Sequence, residues 1–265
     1  MTGSAEASNS QKTGSQKTRG RRRSPFMAIL GYTLRSCFPR KRWLALLVPC
    51  AGALLFGLLS YAVTDSAQRA FARVAADGIY GLIVPIAALV IGDSVLGAEV
   101  RSGTFHFTWL SPTPAWQIVI GRWLSGSFVA LVTIAPAAAL AALIAGSPES
   151  TGAAFLAAAV GGAAYVGVFI AIASLTRRTA VWSLAFVFLV ERLLGQALTG
   201  IAQLSPTWES RAIFLGNLKD VPSTIARGGI PQGGAAILRL TIVTIVVLAI
   251  AIWRIGHMRW AGASD

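Results

Sequence analysis

Few residues in this 265-residue chain have the chemical types that run reactions. The two histidines, His106 and His257, stand far apart and lack the spacing of a metal pair. No G-x-x-x-x-G-K-[ST] run is present to cradle a phosphate, and neither G-x-S-x-G nor H-E-x-x-H occurs. A hydrolase needs a nucleophile beside a base, and no such set is visible. The expectation is therefore no catalytic residue, no metal and no cofactor held by this chain. What remains is charge in unusual places. Gly92 to Arg122 reads GDSVLGAEVRSGTFHFTWLSPTPAWQIVIGR and carries Asp93, Glu99, Arg101 and Arg122 between two long apolar runs. Glu191 and Arg192 fall near the middle of another run.

Charge within an apolar run is costly unless it is paired or wetted. Glu191 and Arg192 are neighbours, and neighbours on a helix point about 100° apart, so they are poor partners for each other. Three readings fit them. Glu191 lines a substrate path, or the two residues bond across to other helices, or the helix ends early and leaves both at the outer surface. Asp93 suits a structural ion pair with Arg101 or Arg122.

The elements that position these residues follow from composition. The chain is 55% hydrophobic and 12% charged, with a formal net charge of +13 and a mean hydropathy of +0.66. A soluble domain this apolar would expose large patches and aggregate, so a polytopic membrane protein is the natural class. The high basicity does not call for nucleic acid. Most basic residues flank apolar runs, where they suit an anionic leaflet of membrane lipid.

About six stretches are long enough to cross a bilayer. They run from about Trp43 to Val63, Ile79 to Leu96, Ile118 to Ala145, Ala153 to Leu175, Ala180 to Ile201 and Ala235 to Trp253. Backbone groups in lipid must be bonded within their own segment, which makes helices the default. The expected fold is all-α, a bundle of six transmembrane helices. Before it, Met1 to Ser24 is polar, basic and low in complexity, and reads as a disordered tail. A twin-arginine export signal at Arg22 and Arg23 is the sharper alternative, but the apolar run starts too far downstream, after Arg40, Lys41 and Arg42. Phe26, Ile29, Leu30 and Leu34 recur at helical spacing and suit an N-terminal helix lying in the membrane interface, with a plain lead-in to the first span as the alternative.

Basic residues set the expected orientation. With the N-terminus cytosolic, the inside holds the N-terminal cluster, Arg101, Arg122, Arg177, Arg178, Arg254 and Arg259. An even number of spans returns the C-terminus to the cytosol. Trp43, Trp123, Trp182, Trp253 and Trp260 then fall near inner boundaries, as interface anchors do. In the fourth span, Ala153, Ala157 and Gly161 form one small-residue ladder, and Ala154, Ala158 and Gly162 another. Such ladders allow close helix approach, inside the bundle or at a dimer contact. The loop from Ala202 to Gly234 mixes prolines with Trp208, Ile213, Phe214 and Leu215. It reads either as short helices dipping into the outer leaflet or as an exposed loop.

The polar stretch also resembles a family. Glu99, Gly103-Thr104, Leu110-Ser111-Pro112 and Gly121-Arg122 stand in the order and spacing seen in permease subunits of ABC-2 type ATP-binding-cassette exporters. The likeness in topology covers nearly all of the chain after Pro25, and the motif covers Glu99 to Arg122. One departure is plain: the family often has an acid-Arg-acid group before Gly-Thr, where this chain has Glu99, Val100 and Arg101. The local ion-pair network must then differ.

The resemblance implies a transport subunit of the cytoplasmic (inner) membrane, not an enzyme. ATP and Mg would sit on a separate ABC ATPase subunit, and a second copy of this or a related permease would complete a dimer. It implies a cytosolic coupling helix that meets the ATPase through Glu99, Arg101, Gly103, Thr104, His106, Trp109, Ser111, Pro112 and Arg122. A second cytosolic contact would form at Arg177 and Arg178. Glu191 and Arg192 stay, on their own charge, candidates for a possible substrate path. The residues suit a lever: Gly103 permits a sharp turn, Thr104 can cap a short helix through His106 and Trp109, and Pro112 and Pro114 end it. An integral-membrane enzyme and a motor-independent channel or structural component are the other classes.

Overall fold

The computed structural model describes residues 25–37, 40–63, 67–105, 108, 113–176, 178–194, 204–218 and 233–257. The expected tail, residues 1–24, lies outside them. Every regular element among the described residues is helical. Helix α1 is Pro25–Cys37 and α2 is Arg40–Val63. Helix α3 is one continuous rod made of Ala67–Val74, a π-helical Ala75–Ile83, Val84–Gly92, a second π turn at Asp93–Gly97, and Ala98–Ser102. Helix α4 is Ala115–Ile144, and α5 is Thr151–Leu175 after a short 3-10 turn. Helix α6 is Thr179–Ala185 and continues π-helically through Phe186–Leu194. Helix α7 is Pro206–Gly216 and α8 is Gly233–Gly256.

Among the described residues, five stretches are long and apolar enough to cross a membrane: Leu44–Ala62, Arg69–Ser102, Ala115–Ile144, Pro148–Leu175 and Gly233–Gly256. This is a multi-pass membrane protein. The fifth run expected from the sequence, Ala180 to Ile201, is seen as the shorter apolar helix Thr179–Glu191, and residues 195–203 lie outside the described set. The second run extends well beyond Ile79 to Leu96. Its 34 residues span about 50 Å at 1.5 Å each, against roughly 30 Å of hydrocarbon. The rod is therefore longer than the apolar layer is thick, and its charged residues, Arg69 and Arg73 at one end and Glu99 and Arg101 at the other, lie near its two ends.

The prolines inside the rods find local accommodation. Pro85 brings no N–H and a ring that crowds the preceding turn. The wide turn of Ala75–Ile83 ends just before it, which gives the ring room. Pro49 and Pro136 lie inside α2 and α4 without ending them.

Helix α5 is the hub. Its small residues let α3, α4, α7 and α8 approach, and Ala154, Ala157, Ala158, Gly161 and Gly162 are all buried. The two ladders divide the work. A methyl at Gly161 would sit 2.1 Å from Ser210 Oγ on α7, and one at Gly162 would sit 3.2 Å from Ala130 Cβ on α4. Both ladders thus serve packing within this bundle.

Contacts along the rods fix their directions. Tyr80 Oη donates to the Ala154 carbonyl at 3.2 Å, and Gly92 lies against Phe169, so α3 and α5 run together. Gly126 lies against Val166 and Gly162 against Ala130, so α4 runs the opposite way. The end of α3, the start of α4, the end of α5 and the start of α6 consequently gather at one end of the bundle. Helix α1 packs there too, with Ser125 Oγ of α4 donating to the Leu30 carbonyl at 3.2 Å.

Candidate functional site

The residues that stood out in the sequence separate into two places. The first is the end where α3 turns into α4. Helix α3 stops at Ser102 because Gly103 adopts φ 73°, a left-handed conformation that favours glycine, and its N–H bonds back to the Val100 carbonyl at 3.3 Å. Two acid–base pairs brace the last turns. Asp93 and Arg101 meet in a two-pronged contact whose second prong, Nη2 to Oδ2, is 3.0 Å. Gly97 makes this possible, since a methyl there would meet Asp93 Oδ1 at 2.5 Å. With 45% and 25% of the two side chains exposed, this pair contributes little stability.

The second pair is different in kind. Arg122, on the second turn of α4, is 1% exposed. Its Nη2 lies 2.6 Å from Glu99 Oε2, and its Nη1 donates to the Val95 carbonyl at 2.5 Å, inside the π turn of α3. The Phe105 ring covers the guanidinium at 5.7 Å. Arg122 therefore grips α3 at two points and also seats the first described residue beyond the Gly103-Thr104 turn. Ser102 and Thr104 are exposed, with their hydroxyls 2.9 Å apart. His106, Trp109, Ser111 and Pro112 lie outside the described residues, and so does Arg177. Arg178 is exposed, and its N–H bonds Thr176 Oγ1 at 3.2 Å. The turn it sits in adjoins the π turn of α3: a methyl at Gly97 would come 3.3 Å from Thr179 Cγ2.

The second place is a polar knot within the bundle. Glu191 is 9% exposed. It accepts from Tyr165 Oη of α5, from Ser205 Oγ at 2.7 Å, from Thr207 Oγ1 at 3.0 Å and from the Thr207 N–H at 3.3 Å. Ser205 is the N-cap of α7, so the Glu191 carboxylate sits at the start of that helix and answers one of its open N–H groups. Of the three readings of this acid, bonding across to other helices describes its geometry. The Arg192 side chain lies outside the described set.

Helix α7 rises from this knot toward the far end of the bundle. Phe214 packs against Tyr80 and Phe71 at ring distances of 5.1 and 5.9 Å. Ala212, Ile213, Phe214 and Leu215 are buried, so this part of the Ala202 to Gly234 stretch is covered by protein, while Trp208 is half-buried and Leu204 exposed. Trp123, half-buried, donates its Nε1–H to the Ala163 carbonyl of α5 at 2.9 Å.

Sequence reasoning missed Tyr165, Ser205, Thr207, Val95 and Phe105. A lone tyrosine in an alanine- and glycine-rich span was a usable signal for the knot. Nothing in the sequence pointed to the Val95 carbonyl. Among the described residues no group of acids, cysteines and histidines is arranged to hold a metal. Compared with known proteins, the chain matches no family model and no curated protein.

Proposed function

We propose that this chain is the permease half of an ABC-2 type exporter, driven by a separate ATPase subunit. The observation that carries the proposal is the double grip of Arg122 on Glu99 and the Val95 carbonyl. It makes the end of α3 and the start of α4 one mechanical unit, directly beside an exposed turn at Ser102 and Thr104 and next to the turn that holds Arg178. A load applied to that turn has no slack to lose before it reaches two of the longest rods in the bundle. The motif spacing from Glu99 to Arg122 supports the same reading.

In this reading α6 supplies the sixth crossing and both termini are cytosolic. The loaded end faces the cytosol, with Glu99 to Pro112 as the coupling segment and Arg177 and Arg178 as a second contact. Helix α1 lies in the interface. A second copy completes the path, and ATP with Mg stays on the motor. A path through so apolar a bundle would favour an amphipathic or hydrophobic cargo.

The test is purification of the tagged full chain from its native membrane. A Walker-containing ATPase subunit should co-purify, and T104C should crosslink to it. Labelling of T104C in intact cells by a membrane-impermeant thiol reagent would sink the proposal. So would cargo movement by the purified chain with no nucleotide-hydrolysing companion.

A further inference from the structure

Glu209 is the buried carboxylate that the bundle does not satisfy. Glu191 receives hydrogen bonds from three residues, and Glu99 receives Arg122. Glu209, on the face of α7 turned toward α8, has 0% exposure, and among the described residues neither Oε1 nor Oε2 has a hydrogen-bond partner. Its one ion-pair contact among the described residues is Arg239 of α8. There Nη1 is 3.9 Å from Oε1, too far for a hydrogen bond, and the arginine is 46% exposed.

The other charged and titratable groups packed around α7 are engaged elsewhere. Arg211 turns to Asp77 of α3 at 3.0 Å. Tyr80 Oη bonds the Ala154 carbonyl, and Tyr165 Oη bonds Glu191 and Thr207. The face of α5 under α7 offers Gly161 and, one turn before it, Ala157, which carry no donor side chain. An ionised carboxylate here gives up its water for one distant, half-exposed arginine and no hydrogen bond, which is unfavourable. A protonated carboxyl asks only for one acceptor, and helix carbonyls keep a spare lone pair.

We propose that Glu209 is a proton-binding site: the neutral acid is the form that lets α7 sit between α3, α5 and α8, and losing the proton draws the carboxylate outward toward Arg239. The ligand is a hydrogen ion from water. Binding makes one O–H bond on a carboxylate oxygen, and release returns the proton to solvent. Burial pushes this carboxyl up to about 7 while Arg239 pulls it down, so the site fills and empties in the neutral range. The inference needs only the packing of α7. It stands whether or not a motor drives the bundle.

Isotope-edited infrared titration of the full chain in lipid nanodiscs, with labelled glutamate, reads the site. A neutral-carboxyl band should be present at about pH 6. It should fade with a midpoint near pH 7 and be missing from E209Q. In R239Q the midpoint should rise by about one unit, because a nearby cation favours the ionised form and has been removed. No such band at about pH 6 would overturn the proposal. A band that survives in E209Q, or a midpoint that R239Q leaves in place, would overturn it too. Should E209Q fail to fold, the R239Q shift decides alone.

Discussion

Arg122 and Glu99 form a buried ion pair, 2.6 Å between Nη2 and Oε2, that ties the first turns of α4 to the last turn of α3. Breaking a buried pair from one side leaves a charge without an answer, at about 3 kcal/mol. E99Q should therefore lower the melting temperature of the full chain in detergent. E99Q with R122M should recover much of that loss, because no lone charge remains. A double variant as unstable as the two single losses added together would mean the residues are not energetically coupled. If the end of α3 is a motor contact, E99Q should also uncouple ATP turnover from transport while the chain still inserts.

The knot at Glu191 should behave as the anchor of α7. Y165F removes one donor and should cost roughly 1 kcal/mol. E191A strands the Ser205 and Thr207 groups together and should cost more, about 2–3 kcal/mol. The loss should be local: amide exchange should rise first in Pro206–Gly216 and only later in α4. Uniform loosening of the whole bundle would contradict the anchoring role.

Gly161 and Ser210 test the helix approach at the hub. A methyl at Gly161 would fall 2.1 Å from Ser210 Oγ, so G161A must push α7 away, at about 1–3 kcal/mol. Adding S210A should relieve part of this. G152A is the control, since nothing lies within 4 Å of its new methyl. Equal effects of G161A and G152A on melting would show that α7 is not seated on α5 as described.

Glu209 predicts the direction of a pH effect. Its carboxyl in the folded chain lies near 7, above the ordinary 4.5. A group raised in this way contributes stability in full below about 4.5, and the contribution disappears as pH rises through about 7. Wild type should lose melting temperature relative to E209Q between about pH 5 and pH 8. Parallel melting curves over that range would show that the group does not change protonation on folding.

Much of the architecture was legible before any coordinates. Long apolar runs cannot leave backbone groups open in lipid, so an all-helical, multi-pass chain followed from composition and spacing. The turn at Gly103 was legible as well, because left-handed backbone favours glycine. The small residues at Ala157, Gly161 and Gly162 announced close packing, though not which neighbour each would meet.

Only the tertiary structure chose the partners. Arg122 reaches Glu99 across 23 residues, and Glu191 collects Tyr165 from 26 residues before it and Ser205 from 14 after it. Helical periodicity reports which residues share a face over three or four positions. It carries no information about which face of which distant helix lies opposite. The fate of these buried acids was decided there: Glu99 met by a guanidinium, Glu191 by hydroxyls and an open helix end, and Glu209 by no hydrogen-bond donor among the described residues.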